Sequence, residues 1–205
     1  EDSTTIYAVT QAIPQFTATF RGDAHCPLSG TYNWAARYDQ RVLTGARFSI
    51  YHDGIADARI PGRKIIAWWW NVGEGGNFTL PYIDGAAFYE DTLTLVPGYF
   101  GRPYFYNPDL CFAYPSISPN KRQDLGGVFN WAQGPEWTPK FAFTIADDYS
   151  SAWPPGWMVY GVRNSKAMPA DNRWGDYNTL REFEPTQKVW VAGGHFIGDT
   201  SPCTN

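Results

Sequence analysis

Tyr114-Pro-Ser-Ile117, followed by Asn120, Asp124 and Val128-Phe-Asn-Trp131, reads as a Tyr-led strand, a turn and an apolar strand ending in an aromatic residue. A similar unit returns about sixty residues on: Tyr177-Asn-Thr-Leu180, then Pro185, then Val189-Trp-Val-Ala192. That spacing is close to one propeller blade with long loops, beside a sandwich or a jelly roll as other β options.

Working outward, more short runs alternate with period two. Phe16-Thr-Ala-Thr-Phe20, Ala46-Arg-Phe-Ser-Ile-Tyr51, Thr92-Leu-Thr-Leu-Val96, Phe141-Ala-Phe-Thr-Ile145 and Lys188-Val-Trp-Val-Ala192 are each predicted as strands. Phe48 and Ile50 should share one face, as should Leu93 and Leu95. Turn signals separate the runs: Pro61-Gly62, Gly73-Glu-Gly-Gly76, Pro97-Gly98, Gly126-Gly127 and Pro154-Pro-Gly156. One helix is a candidate, Tyr32 to Leu43, which lacks Gly and Pro but whose apolar spacing fits a helix poorly. No linker divides the chain, so residues 1–205 are read as one domain.

Ten Trp, thirteen Tyr and thirteen Phe supply large flat side chains. These suit pleated sheets and also stack on sugar rings, so a large aromatic core and an aromatic-lined ligand surface are both expected readings. Trp68-Trp-Trp70 must point side chains to both faces of a strand. At least one is core; a second is either exposed or packed between sheets. A hydrophobic share of 43% argues against disorder. The net charge is −4, and Lys and Arg are scattered, so no nucleic-acid footprint is present. No apolar run approaches the roughly 18–20 residues of a membrane helix. The densest, Ile65 to Trp70, is strand-sized.

The chain starts at Glu1 without Met, as a processed N-terminus or a truncated chain would. Cys26, Cys111 and Cys203 lack zinc-type spacing, so two of them are disulfide candidates and the third is left over. Asn77-Phe-Thr79 is a glycosylation sequon. These features lean towards an extracellular setting.

Phe112-Ala-Tyr-Pro-Ser-Ile-Ser-Pro-Asn120 with Leu125-Gly-Gly-Val-Phe129 resembles a recurrent blade start in sialidase-like β-propellers. Arg173-Trp-Gly-Asp-Tyr177, with Phe183-Glu-Pro185 and Val189-Trp-Val-Ala-Gly193, resembles the penultimate element of the same family, in the same order. Gly101-Arg-Pro-Tyr104 fits that layout. The resemblance covers roughly residues 80–198. It implies an all-β propeller, or part of one, of about four blades of antiparallel strands. The chain would then be a small closed propeller or the C-terminal portion of a larger one. The family's Asp-box and full catalytic set are not found in the sequence.

In a propeller, ligands bind at one mouth of the central channel. Arg173 suits a carboxylate and shares a strand face with Tyr177, Trp174 suits stacking on a sugar face, and Asp176 suits acid–base work or a cation. Arg173, Asp176 and Tyr177 are therefore the catalytic candidates. Trp174, Arg102, Tyr114 and His195 are the ligand-binding candidates. The structural alternative is that Asp176 caps a turn and pairs with Arg173. His25, His52 and His195 are not spaced as metal ligands, and no metal site or cofactor is expected beyond a structural Ca2+. Asp84, Glu90-Asp91 and Asp147-Asp148 supply further carboxylates, of which glycoside hydrolysis would need two.

Two functions are expected from this reading. One is a secreted carbohydrate-recognising protein acting on acidic glycans by hydrolysis or elimination. The other is a non-catalytic lectin, adhesin or assembly subunit. Carbohydrate is the expected partner, with a second polypeptide completing the propeller or a homo-oligomer as further partners.

Overall fold

Alternation of apolar and polar side chains is what turns most of these runs into strands. In Ala46-Arg-Phe48, Ala46 and Phe48 are buried while Arg47 is exposed and pairs with Glu90. The computed structural model describes residues 43–49, 63–72, 78–97, 101–134, 137–146, 158–167, 174, 178–186 and 188–198. These form ten strands and no helix, in three antiparallel sheets. The all-β expectation therefore holds among the described residues. Phe16–Phe20, most of the helix candidate, and the turn signals at 61–62, 73–76 and 154–156 lie outside them. The last residue of the helix candidate, Leu43, opens a strand instead.

The first sheet runs in sequence order through β1 (Leu43–Ser49), β2 (Lys64–Val72), β3 (Tyr82–Tyr89) and β4 (Tyr104–Phe105). The second does the same through β5 (Leu110–Pro119), β6 (Leu125–Gln133), β7 (Lys140–Ala146) and β8 (Met158–Asn164). The third is a pair, β9 (Thr179–Glu182) and β10 (Trp190–Gly193). Each four-stranded sheet is a meander, every strand pairing antiparallel with its neighbour in sequence. The leading strands neighbour one another: β5 packs on β1 and on β9. The two echoing sequence units thus become two hairpins, β5–β6 and β9–β10.

The main core lies between the first two sheets. Phe48, Ile65, Trp69, Ile83 and Phe105 from one side meet Phe112, Ile117, Leu125 and Phe129 from the other. Trp69 is 1% exposed and its ring centroid lies 4.9 Å from that of Phe105. Trp70 is buried on the opposite face with Val72 and Ala86, and Trp68 on that face is 40% exposed. The tryptophan run therefore splits as strand geometry requires. A smaller core of Val128, Phe141 and Leu180, flanked by Phe143 and Trp190, joins the second sheet to the third.

Two expected elements differ. Thr92–Val96 is a turn and a single bridge, Phe88 to Leu95, rather than a strand. Leu93 takes a left-handed φ of 52°, and its N–H donates to the Tyr89 carbonyl at 2.8 Å, closing a tight turn that breaks the alternation. Gly126-Gly127 lies inside β6 rather than in a turn. The turn comes earlier, where Asn120 and Asp124 lock onto each other. The Asp124 N–H donates to Asn120 Oδ1 at 3.0 Å, and the Asn120 N–H donates to the Asp124 carbonyl at 3.0 Å.

Candidate functional site

The predicted ligand residues are built into two different places. Trp174 is 7% exposed and packs among Leu80, Cys111, Ala113, Tyr114 and Ala132. Its ring lies 4.2 Å from the His195 ring. Trp174, Tyr114 and His195 are thus brought together, but as a packed junction: Trp174 and Tyr114 present almost no surface on which a sugar could stack. Arg102 sits elsewhere, against Asp84. The register pairs Asp84 with Trp70, on the face opposite Trp69. Arg173, Asp176, Tyr177, Asn77, Cys26 and Cys203 lie outside the described residues.

Three asparagines that the sequence does not single out, Asn71, Asn130 and Asn178, hold that junction. Tyr114 has a φ of 60° at an irregularity in β5 that frees its backbone from the ladder. Its N–H donates to Asn71 Oδ1 at 2.6 Å. Its carbonyl accepts from Asn178 Nδ2 at 2.9 Å, and Asn178 Nδ2 also donates to Asn130 Oδ1 at 2.6 Å. Asn130 is fully buried and donates to the Lys140 carbonyl at 3.2 Å. Buried backbone groups displaced from a ladder need such partners, and the amides tie β2, β5, β6 and the entry to β9 into one unit.

Burial raises the Asp84 carboxyl above the usual range; the Gly85 N–H and the Arg102 guanidinium oppose the rise. At 3.7 Å, Arg102 is an ion-pair partner too distant for a hydrogen bond. Asp84→Asn should therefore stabilise the protein at neutral pH and change little in acid. Below the unfolded pKa of about 3.9, Asp84 is neutral in both states. As pH rises, the unfolded chain ionises first, and the folded state loses stability until its own higher pKa is passed. Urea midpoints of the two proteins at acid and neutral pH check this. A variant less stable at neutral pH would show that Arg102 outweighs burial.

An open cleft lies at the outer edge of the second sheet. It has a volume of about 490 Å³ and is lined by Trp131, Gly161, Val162, Arg163, Asn164, Lys166, Phe196 and Gly198. Lys140 adds a further cation, its Nζ 4.5 Å from the centre of the Trp131 ring. Arg163 reaches towards Phe196, 5.7 Å from guanidinium to ring centre. A register shift between Phe141 and Ala142 inserts Val162 as an extra residue in β8, between Gly161 and Arg163. Bulges of this kind re-aim side chains at the rims of sheets. The far wall is clamped by Ser165, which is 4% exposed. Its Oγ accepts from the Ile197 N–H at 3.0 Å, and the Lys166 N–H donates to the Ile197 carbonyl at 2.9 Å. A Cβ placed on Gly161 or Gly198 would meet nothing within 4 Å, so the cleft reaches the backbone itself.

No protein-family model, curated protein or solved structure matches the chain. Among the described residues, no group of three or more His, Cys, Asp or Glu could hold a metal ion, and no helix is long and apolar enough to cross a membrane.

Proposed function

We propose that this is a secreted, sialidase-like β-propeller, or part of one, whose role is to recognise carbohydrate. The observation that carries the carbohydrate reading is the cleft beside β8, lined by the indole of Trp131 and the phenyl ring of Phe196. Aromatic faces bordered by polar groups are how proteins grip sugar rings. The propeller reading is supported by the successive meanders, whose leading strands β1, β5 and β9 begin at residues 43, 110 and 179. It is also supported by the contacts of β5 with β1 and β9, as expected of strands lining a common axis.

Recognition without catalysis is the better-supported form at this cleft. Among the described residues its lining offers two cations and an amide and no carboxylate, whereas glycosidic cleavage normally uses two carboxyl groups. A disulfide is part of the proposal. Cys111 is fully buried, which suits a bond to Cys26 or Cys203. A non-reduced mass equal to the reduced mass would remove that part.

A glycan array tests the function. At least one glycan should bind, and Trp131→Ala should weaken it about tenfold, the loss of one stacking contact. If Arg173→Ala abolishes binding and Trp131→Ala does not, the sugar sits at Asn172–Tyr177 instead. Silence across the array would sink the carbohydrate reading.

A further inference from the structure

We propose that the cleft beside β8 binds a polyanionic polysaccharide, a sugar chain carrying a carboxylate or sulfate on successive units. This builds on the carbohydrate reading and adds the charge and the repeat to it.

Charge is the first support. The whole chain has 16 Lys and Arg against 20 Asp and Glu. Against that acidic background the described lining of the cleft holds Arg163 and Lys166 and no acidic residue. Lys140 stands beside it on Trp131. Three cations around one cleft outnumber what a single carboxylate could neutralise, so a ligand with several charges fits better than a monosaccharide acid.

Construction is the second. Arg163 projects from just beyond the bulge, where the strand is bent and its side chain is re-aimed. Both aromatic walls carry a cation near the ring, Lys140 at Trp131 and Arg163 at Phe196. Such pairing orients a cation while leaving its outward side to a ligand. The buried Ser165 fixes the Phe196–Gly198 wall to the end of β8. Gly161 and Gly198 leave the backbone open, so a chain can lie flat across the cleft. The volume of about 490 Å³ falls within the usual range for ligand sites.

A single-stranded nucleic acid is the competing polyanion. The scattered Lys and Arg and net charge of −4 argue against a backbone-tracking stripe, and it enters as an outcome of the test.

The full chain is titrated with an oligogalacturonate, a sulfated oligosaccharide, a neutral glucose oligomer and an oligonucleotide, each at low and high salt. One of the first two should bind about tenfold or more above the neutral oligomer, with an affinity that falls as salt rises. Which of them wins separates carboxylate from sulfate. Removing the two lining cations with R163A and K166A should cut that advantage at least severalfold and leave neutral binding as it was. Gly161→Leu, which keeps every charge and enters open space, should block all ligands by bulk. Arg47→Ala, at the exposed pair with Glu90, should change nothing. Equal binding of neutral and charged oligomers overturns the charge proposal and spares the carbohydrate reading. No binding of any sugar overturns both. Tighter binding of the oligonucleotide, or a salt-independent preference, overturns the proposal as well.

Discussion

Replacing Trp69 with alanine should lower the unfolding free energy by about 3–5 kcal/mol, seen as a drop in the denaturant midpoint with little change in slope. The indole is 1% exposed and stands between the two large sheets, against Phe105. The cost depends on whether neighbours can collapse into the space left. Here they cannot do so easily. The indole sits over two glycines: a Cβ on Gly85 would lie 2.8 Å from it, and one on Gly127 would lie 2.6 Å from it. Glycines have no side chain to swing into a cavity. Native proteins have about 5–15 kcal/mol in total, so this one side chain should account for a large share of the stability. Trp68→Ala is the matched comparison. It removes the same group from the adjacent residue, which is 40% exposed on the other face of β2, and should cost about 1 kcal/mol or less. Equal losses at the two positions would mean that the inter-sheet core is not where the stability lies.

Much of the strand layout was legible because period-two alternation is local. Phe141–Ile145 sits inside β7 for that reason, and the unbroken apolar run Ile65–Trp70, too short for a membrane helix, sits inside β2. The failures are where a backbone feature with no sequence signature intervened. At Thr92–Val96 the alternation is present, but Leu93 turns left-handed and the chain folds back onto β3. At Gly126-Gly127 the glycines read as a turn, yet their purpose is close approach between sheets. The candidate site was legible in its residue types but not in their placement. Trp174, expected as a ring face for a sugar, and Tyr114, expected as a ligand contact, are both packed. Trp131, Arg163 and Phe196 come from β6, β8 and the segment after β10. Only tertiary structure and a bulge bring them to one cleft, so no spacing could have announced them.

The two glycines of β6 give the second large effect, and they should fail differently. Alternation sends their missing side chains to opposite faces of the second sheet. A Cβ on Gly127 would meet Trp69 at 2.6 Å, on the side of the first sheet, and its β7 neighbour Thr144 at 3.0 Å. A Cβ on Gly126 would meet Trp190 at 2.9 Å and Leu180 at 3.0 Å, on the side of the third. Trp190 cannot retreat freely, because its Nε1 donates to the Ser118 carbonyl at 2.9 Å. Gly127→Val should therefore part the two large sheets and cost about 3 kcal/mol, with protection from hydrogen exchange falling throughout. Gly126→Val should act on β9–β10, a two-stranded ribbon with little to hold it once its contact with β6 is lost. Exchange should then rise in β9–β10 while β1–β7 stay protected. The ribbon leads directly into Phe196, so this variant should also weaken ligand binding at a cleft it does not touch. A double-mutant cycle separates collision from any intrinsic effect of the glycine. In a Trp69→Ala background the space over Gly127 is empty, so Gly127→Val should cost much less than it does alone. An unchanged cost would place the penalty in the β6 backbone rather than in the contact with Trp69.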